Sequence, residues 1–224
     1  MDLQIKGRKA IMAGGSAGMG RATAERLAEA GVELFISARG EERLMNAAKE
    51  MSEKYGTSVT PIVADSSTEA GREALFEACP DPDILAITIK PPAPNGNFLN
   101  VTPDMWRSSI ETTLIGPIEI MRHYIPGMTE RKWGRIVNIA TFSAKNPMIW
   151  RLMSGPARTA LLNYTASVSR EIAAHGVTIN NLLPGMFRTE GVNENIDPYA
   201  DAFGVEPVED ICLAHFMEHN KIPA

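Results

Sequence analysis

Apolar residues along this chain fall into two alternating patterns: short unbroken runs, and longer stretches with helical spacing. The runs lie at about 8–13, then Glu33–Ala38, Val59–Ala64, Ile84–Ile89, Arg135–Ala140 and Val177–Leu183. Continuous runs of this length, with no polar alternation, fit strands buried on both faces. Between them, at about 18–30, 41–54, 69–78, 102–128 and 154–175, apolar positions recur every three or four residues, which predicts helices. Punctuation agrees with this division. Gly31 and Gly176 follow the first and last helical stretches, and Ser66-Ser67-Thr68 offers an N-cap to the third. Gly116-Pro117 predicts a kink in the fourth. Asp81-Pro82-Asp83 reads as a turn, Pro91 to Asn97 as an irregular loop, and Pro184-Gly185 stops the last strand.

Repeated β-α units predict an α/β chain, a Rossmann-type doubly wound parallel sheet with right-handed connections and helices on both faces, in one domain over residues 1–224. Ligands of such sheets bind beyond the carboxyl ends of the strands. Position alone therefore nominates Gly14–Gly20, Arg39, Asp65, Ile87–Pro92, Thr141–Ser143 and Pro184–Thr189.

The first of these segments carries the most specific signal. Ala13–Gly20 reads AGGSAGMG between a strand and a helix. Glycine lets the backbone turn tightly and approach a diphosphate closely, and the following helix aims free N–H groups and its positive dipole end at that anion. Strand, glycine turn and helix together predict a dinucleotide site.

Composition removes other classes. The 224 residues carry a net charge of −5 with no basic stripe, which argues against nucleic acid and anionic membrane as partners. The N-terminus lacks the basic and apolar regions of a signal peptide, and no apolar run reaches the roughly 18 residues of a membrane span. Cys79 and Cys212 stand far apart with no His or Cys at ligand spacing, so neither a disulfide nor a metal site is expected, and a cytoplasmic location is the default.

With the glycine turn, Asp83-Ile-Leu85, Gly134-Arg-Ile-Val-Asn-Ile139, Thr178-Ile-Asn180 and Pro184-Gly185 in place, the chain resembles the short-chain dehydrogenases/reductases, especially the 3-oxoacyl-carrier-protein-reductase-like members. The resemblance spans nearly the whole chain. It implies that Gly14, Ser16, Gly18, Met19 and Gly20 line the diphosphate and ribose of a nicotinamide cofactor. Asp65 would accept from the adenine amino group, with Ser66 in the same cofactor-binding set. Pro184, Gly185 and Thr189 would bracket the nicotinamide. After the second strand an NAD site needs a carboxylate for the ribose 2′-hydroxyl, whereas a 2′-phosphate needs a cation. This chain reads Ser37-Ala38-Arg39, which favours NADP(H) over NAD(H), with Arg21 as a candidate helper. The bland alternative for Arg39 is an exposed arginine pairing with Glu41 or Glu42.

The catalytic positions depart from the family pattern. Its Ser, Tyr, Lys and helix Asn fall here on Thr141, Ser154, Arg158 and Thr113. The chain thus resembles a divergent branch with Ser and Arg in place of Tyr and Lys. Thr141 keeps a hydroxyl for the substrate oxygen, with Ser143 in reserve. Arg158 keeps a cation near the nicotinamide ribose, where the family's Lys holds it. Ser154 is the larger loss, since an aliphatic hydroxyl titrates far above a phenol at about 10. The alternative for Ser154 and Arg158 is a helix-capping serine and a solvated arginine. Lys90 stands where the family has glycine, and either reaches a phosphate or substrate anion or points to water. Tyr164, His123 and His175 are replacement acids only in principle. Trp106 and Trp133 read as packing or pocket residues, and Trp150 as facing substrate.

Family members continue past a segment such as Asn220–Ala224 into another helix and a final strand, so a bare sheet edge is expected and the sequence reads as a fragment. A lid is expected over about 190–220, helical from Glu206. The leading expectation is an NADP(H)-dependent oxidoreductase acting on a carbonyl or alcohol of a small-molecule substrate, with a homo-oligomer as a candidate assembly. A catalytically silent nucleotide-binding module and a non-redox lyase or isomerase on the same fold are the alternatives.

Overall fold

The computed structural model describes residues 3–90, 97–185 and 187, with Trp150 described by its backbone alone. The apolar runs are strands: β1 (Lys9–Ala13), β2 (Glu33–Ala38), β3 (Val59–Val63), β4 (Ile84–Thr88), β5 (Gly134–Ile139) and β6 (Val177–Leu182). The helically spaced stretches are α1 (Gly18–Glu29), α2 (Glu41–Tyr55), α3 (Glu69–Ala78), α4 (Pro103–Ile110), α5 (Gly116–Glu130) and α6 (Gly155–Ile172). Among the described residues all five strand pairings are parallel, in the order β3-β2-β1-β4-β5-β6. The order reverses between β1 and β4, so the crevice for a ligand opens at their carboxyl ends.

Alternate side chains along each strand feed two cores. Ile11, Phe35, Leu85 and Ile136 pack with Leu75 of α3, Ile120 of α5 and Leu161 of α6. Ala10, Met12, Leu34, Ile36 and Ala86 face the other way, against Ala24 and Ala28 of α1 and Leu44 and Met51 of α2. The helices therefore cover both faces, and among the described residues β3 and β6 form the two sheet edges. The expected lid (190–220), Thr189 and the proline loop over residues 91–96 lie outside the described residues.

One expectation needs correction. The stretch from Thr102 to Met128 is not a single helix kinked at Gly116-Pro117, because the break falls a turn earlier, as a π-helical segment over Glu111–Ile115. Two residues account for it. The hydroxyl of Thr113 donates to the Ser109 carbonyl (2.7 Å), competing with the helical ladder for that acceptor. Pro117 then brings no N–H to the ladder and sits in the first turn of α5, where none is needed. The N-cap expected from Ser66-Ser67-Thr68 is Thr68, whose side chain accepts from Gly71 N.

The β1–α1 turn closes on contacts that only glycine permits. Gly14 has φ +88° and a Cβ there would lie 2.0 Å from the Thr88 carbonyl oxygen. A Cβ on Gly20 would lie 1.9 Å from the Gly14 carbonyl oxygen, so the first turn of α1 rests directly on the loop that precedes it. Gly20→Ala is expected to cost on the order of 1–3 kcal/mol of stability, a fall of several degrees in Tm by thermal melting; an unchanged Tm would contradict this packing.

Candidate functional site

The turn that joins β1 to α1 is tied to β2 as well as to β4. Gly14 N and Gly15 N both donate to the Ser37 carbonyl, at 2.9 and 3.0 Å. α1 then starts at Gly18 with no side chain capping its N-terminus and no acid in its first turn, whereas Thr68 and Thr102 cap α3 and α4. Its leading N–H groups are thus left for a ligand, and an anion is what such a terminus favours. Ser16 and Gly20 are buried and Gly14, Gly18 and Met19 half-buried around it. The space that a Cβ would fill at Gly14 and Gly20 is backbone in close approach, the geometry a diphosphate cradle requires. Arg21, by contrast, is spent on Glu25 and Glu50 along the α1–α2 surface.

At the ends of β2 and β3, Arg39 stands exposed and faces Asp65 rather than Glu41 or Glu42, with Nη1 3.9 Å from the carboxylate. Asp65 is a fixed group. Its carboxylate accepts from Ser67 N (3.0 Å) and Ser67 Oγ (2.7 Å), and its backbone carbonyl accepts from Thr68 N. Burial pushes the Asp65 carboxyl up, but the two Ser67 hydrogen bonds and the Arg39 charge outweigh it and hold the group below the usual carboxylate range. Beside it the Ser66 carbonyl accepts from Arg72 (3.1 Å), itself 3.6 Å from Glu111 at the start of the π segment. The loop over Asp65–Thr68 is therefore held in place from both sides, and Arg39 meets a carboxylate that does not swing out to follow it.

At the ends of β4 and β5 the arrangement departs from the sequence reading. Arg158, on the first turn of α6, is 5% exposed. Its Nη1 donates to the carbonyls of Ile139 and Ala140, and its Nη2 to that of Ile89 (2.7 Å). No carboxylate pairs with it among the described residues. Burial, helped by the nearby Arg151 charge, pushes the guanidinium down to about 10. Ser154, one turn before it, is 2% exposed and its Oγ is without a hydrogen bond, so it does not cap α6. The hydroxyl of Thr113 is spent inside its own helix, on Ser109. Thr141 keeps freedom. It is half-buried, and its Oγ1 accepts from Ser143 N (3.5 Å) and Ser143 Oγ (3.2 Å), which leaves the Thr141 proton for another acceptor. Behind Arg158 lies a small cavity, with room for about one water molecule, lined by Ile87, Thr113, Asn138 and Leu161. Asn138 Oδ1, which makes no hydrogen bond, belongs to this wall.

The remaining nominees divide cleanly. Phe142 N donates to the Pro184 carbonyl (3.0 Å), which brings Pro184-Gly185 beside Thr141 as expected. Lys90 is exposed at the crevice. Tyr164 packs against the core, His123 stacks on Phe76 at 3.6 Å, and His175 is exposed beyond α6, so none approaches Thr141 or Ser154 as a replacement acid. Trp133 lies under Arg8 and Arg135 (3.8 and 4.6 Å) at the opposite, amino end of the strands. The Trp150 side chain and Thr189 fall outside the described residues. Thr88 lay in the nominated segment Ile87–Pro92, but the part its backbone carbonyl plays in closing the glycine turn was not foreseen, and Ser143, held in reserve, donates to Thr141. Among the described residues no group of His, Cys, Asp and Glu could hold a metal, and no helix is long and apolar enough to cross a membrane.

Comparison with known proteins agrees with this geometry. The chain is 29% identical over 228 residues to the uncharacterized oxidoreductase YvaG of Bacillus subtilis, covering 99% of this chain and 83% of that one. It is 31% identical over 187 residues to an acetoacetyl-CoA reductase of Shinella zoogloeoides, covering 83% and 76%. Among solved structures, a variant of actinorhodin polyketide ketoreductase determined with NADPH superposes with a TM-score of 0.81 at 27% identity, covering 92% of this chain and 80% of that one. Residues 8–199 match the short chain dehydrogenase family. A six-stranded parallel sheet, a glycine turn at its switch point and relatives that are oxidoreductases acting on C=O or CH–OH groups lead to one conclusion: the chain is a member of the short-chain dehydrogenase/reductase family.

Proposed function

We propose that this chain is an NADP(H)-dependent carbonyl/alcohol oxidoreductase with an atypical active site. Arg39 carries the cofactor preference. It is the first charged residue after β2, it is exposed, and no acid occupies the position that would hold a 2′-hydroxyl. The Asp65 carboxylate is a neighbour at 3.9 Å and is itself engaged by Ser67. The NADPH bound by the actinorhodin ketoreductase supports the same choice.

The group would rest on the Gly14–Gly20 turn and the N-terminus of α1, with Arg39 on its 2′-phosphate. When bound, it supplies or accepts the hydride that interconverts carbonyl and alcohol. The chain's own residues do the rest. Thr141 donates a hydrogen bond, without giving up its proton, to the substrate oxygen, and Ser143 donates to Thr141, which polarises that hydroxyl further. Arg158 places a fixed positive charge beneath the end of β5, where it stabilises negative charge on that oxygen. Ser154 adds a buried hydroxyl on the same helix face. Neither aliphatic hydroxyl is acidic enough to give up its proton near neutrality, so the proton itself comes from water. The substrate is a small molecule bearing a carbonyl or alcohol.

Two measurements test this reading. Arg39→Ala is expected to weaken NADPH binding roughly 10- to 100-fold, the worth of one charge-assisted contact, and NADH binding less than about threefold. Equal losses for both nucleotides in a fluorescence titration would remove the preference. Thr141→Val, nearly the same shape without the hydroxyl, is expected to lower kcat about 100-fold on any carbonyl substrate that turns over, with NADPH affinity intact. Unchanged kcat would take Thr141 out of the chemistry.

A further inference from the structure

In the family pattern the residue at position 158 is a Lys that holds the nicotinamide ribose, and an arginine there reads as a conservative change. The geometry of this chain points elsewhere. The β4–β5 ladder ends at the Thr88–Ile139 pair. Ile89 and Ala140 are the first residues beyond it on each strand. The Arg158 guanidinium lies between them. One nitrogen takes Ile139 and Ala140 and the other takes Ile89, so a single planar fork spans both strand ends from the first turn of α6. α6 is tied down independently nearby, where Thr159 Oγ1 donates to the Ala144 carbonyl (2.8 Å).

We propose that Arg158 is a positioning residue: it fastens the carboxyl ends of β4 and β5 to α6 and so sets Lys90 and Thr141, the residues next along each chain, rather than gripping the nicotinamide ribose. Three points carry this. The fork is spent on backbone carbonyls, which are neutral and cannot be displaced without opening the strand ends. The side chain is 5% exposed, so a ribose hydroxyl would have to enter the protein to reach it. A planar guanidinium can bridge two strand ends in a way that a lysine ammonium, a point charge on a flexible stem, cannot. The long-range effect of its charge on the substrate oxygen is unaffected by this role. The geometry also gives the exchange of Lys for Arg a physical meaning: the clamp has become part of the crevice wall.

The inference rests on the NADP(H) reading, and the experiment separates the two. NADPH and adenosine 2′,5′-bisphosphate, which lacks the nicotinamide half, are titrated into the wild type, Arg158→Lys and Arg158→Met. The ratio of their dissociation constants isolates the nicotinamide side from general damage. For a positioning role the ratio stays within about threefold across all three proteins. Arg158→Lys also loses thermal stability, roughly 5 °C in Tm, and moves the backbone amide resonances of Lys90 and Thr141 while leaving those of Gly14–Gly20 in place. A ratio that collapses tenfold or more in Arg158→Met and is kept or improved in Arg158→Lys would make Arg158 a ribose ligand and overturn the inference. Should Arg158→Met not fold, the wild type decides alone. The guanidinium nitrogen resonances of Arg158 should not move on saturation with NADP⁺, and a large shift would count against the role. Failure of NADPH to bind any of the proteins sinks the cofactor reading, which the stability and amide-shift comparison of Arg158→Lys does not need.

Discussion

The constraint on which this fold turns is a backbone contact across the switch point of the sheet. Gly14 leaves β1 so close to the carbonyl of Thr88 on β4 that a single methyl group would stand 2.0 Å from it, and Gly20 meets Gly14 in the same way. Because both approaches are made by backbone, the turn cannot loosen without separating β1 from β4, the pair at which the strand order reverses. The consequence is functional. The first turn of α1 is pressed down onto the crevice with its N–H groups uncapped, and the carboxyl ends of the strands on either side come to lie around that point. A dinucleotide site is built here before any side chain is considered.

Side chains then give the two halves of the crevice different characters. On the β2–β3 side an exposed cation, Arg39, faces a carboxylate held rigidly by Ser67. This is a surface arrangement, suited to meeting a phosphate from solvent. On the β4–β5 side the cation is buried, engaged by carbonyls and opposed by a second guanidinium, Arg151, so its charge is costly and fixed. Such a charge acts on what lies above it through the field it sets up. The hydroxyls of Thr141, Ser143 and Ser154 belong to residues close in sequence to the strand end and helix start that it joins.

The sequence was most legible where backbone requirements select residue types. Buried parallel strands demand unbroken apolar runs, and the runs closely match the strands from β1 to β6. The glycine turn was readable because only glycine satisfies its geometry, as Gly14 and Gly20 show. Legibility failed for contacts that depend on where a long or small polar side chain ends. Helical spacing puts Ser154 and Arg158 on one face, yet does not say that the guanidinium turns inward to Ile89 and Ala140. Likewise the resemblance placed Thr113 at the family's helix-Asn position, but did not show that its hydroxyl bonds Ser109, with the break falling at Glu111–Ile115, just before Gly116-Pro117. The Arg39–Asp65 pair was missed for a related reason. Its members are far apart in the chain and meet only because β2 and β3 are neighbours.

The central claim is that the glycine turn and Arg39 together receive NADP(H). Phosphorus NMR of NADP⁺ titrated with the wild-type protein tests both contacts at once, since the diphosphate and the 2′-phosphate give separate signals. The account predicts that both shift or broaden together as the protein is added, the diphosphate at the N-terminus of α1 and the 2′-phosphate at Arg39. Signals that stay at their free positions at saturating protein, or a diphosphate that responds while the 2′-phosphate does not, would contradict it.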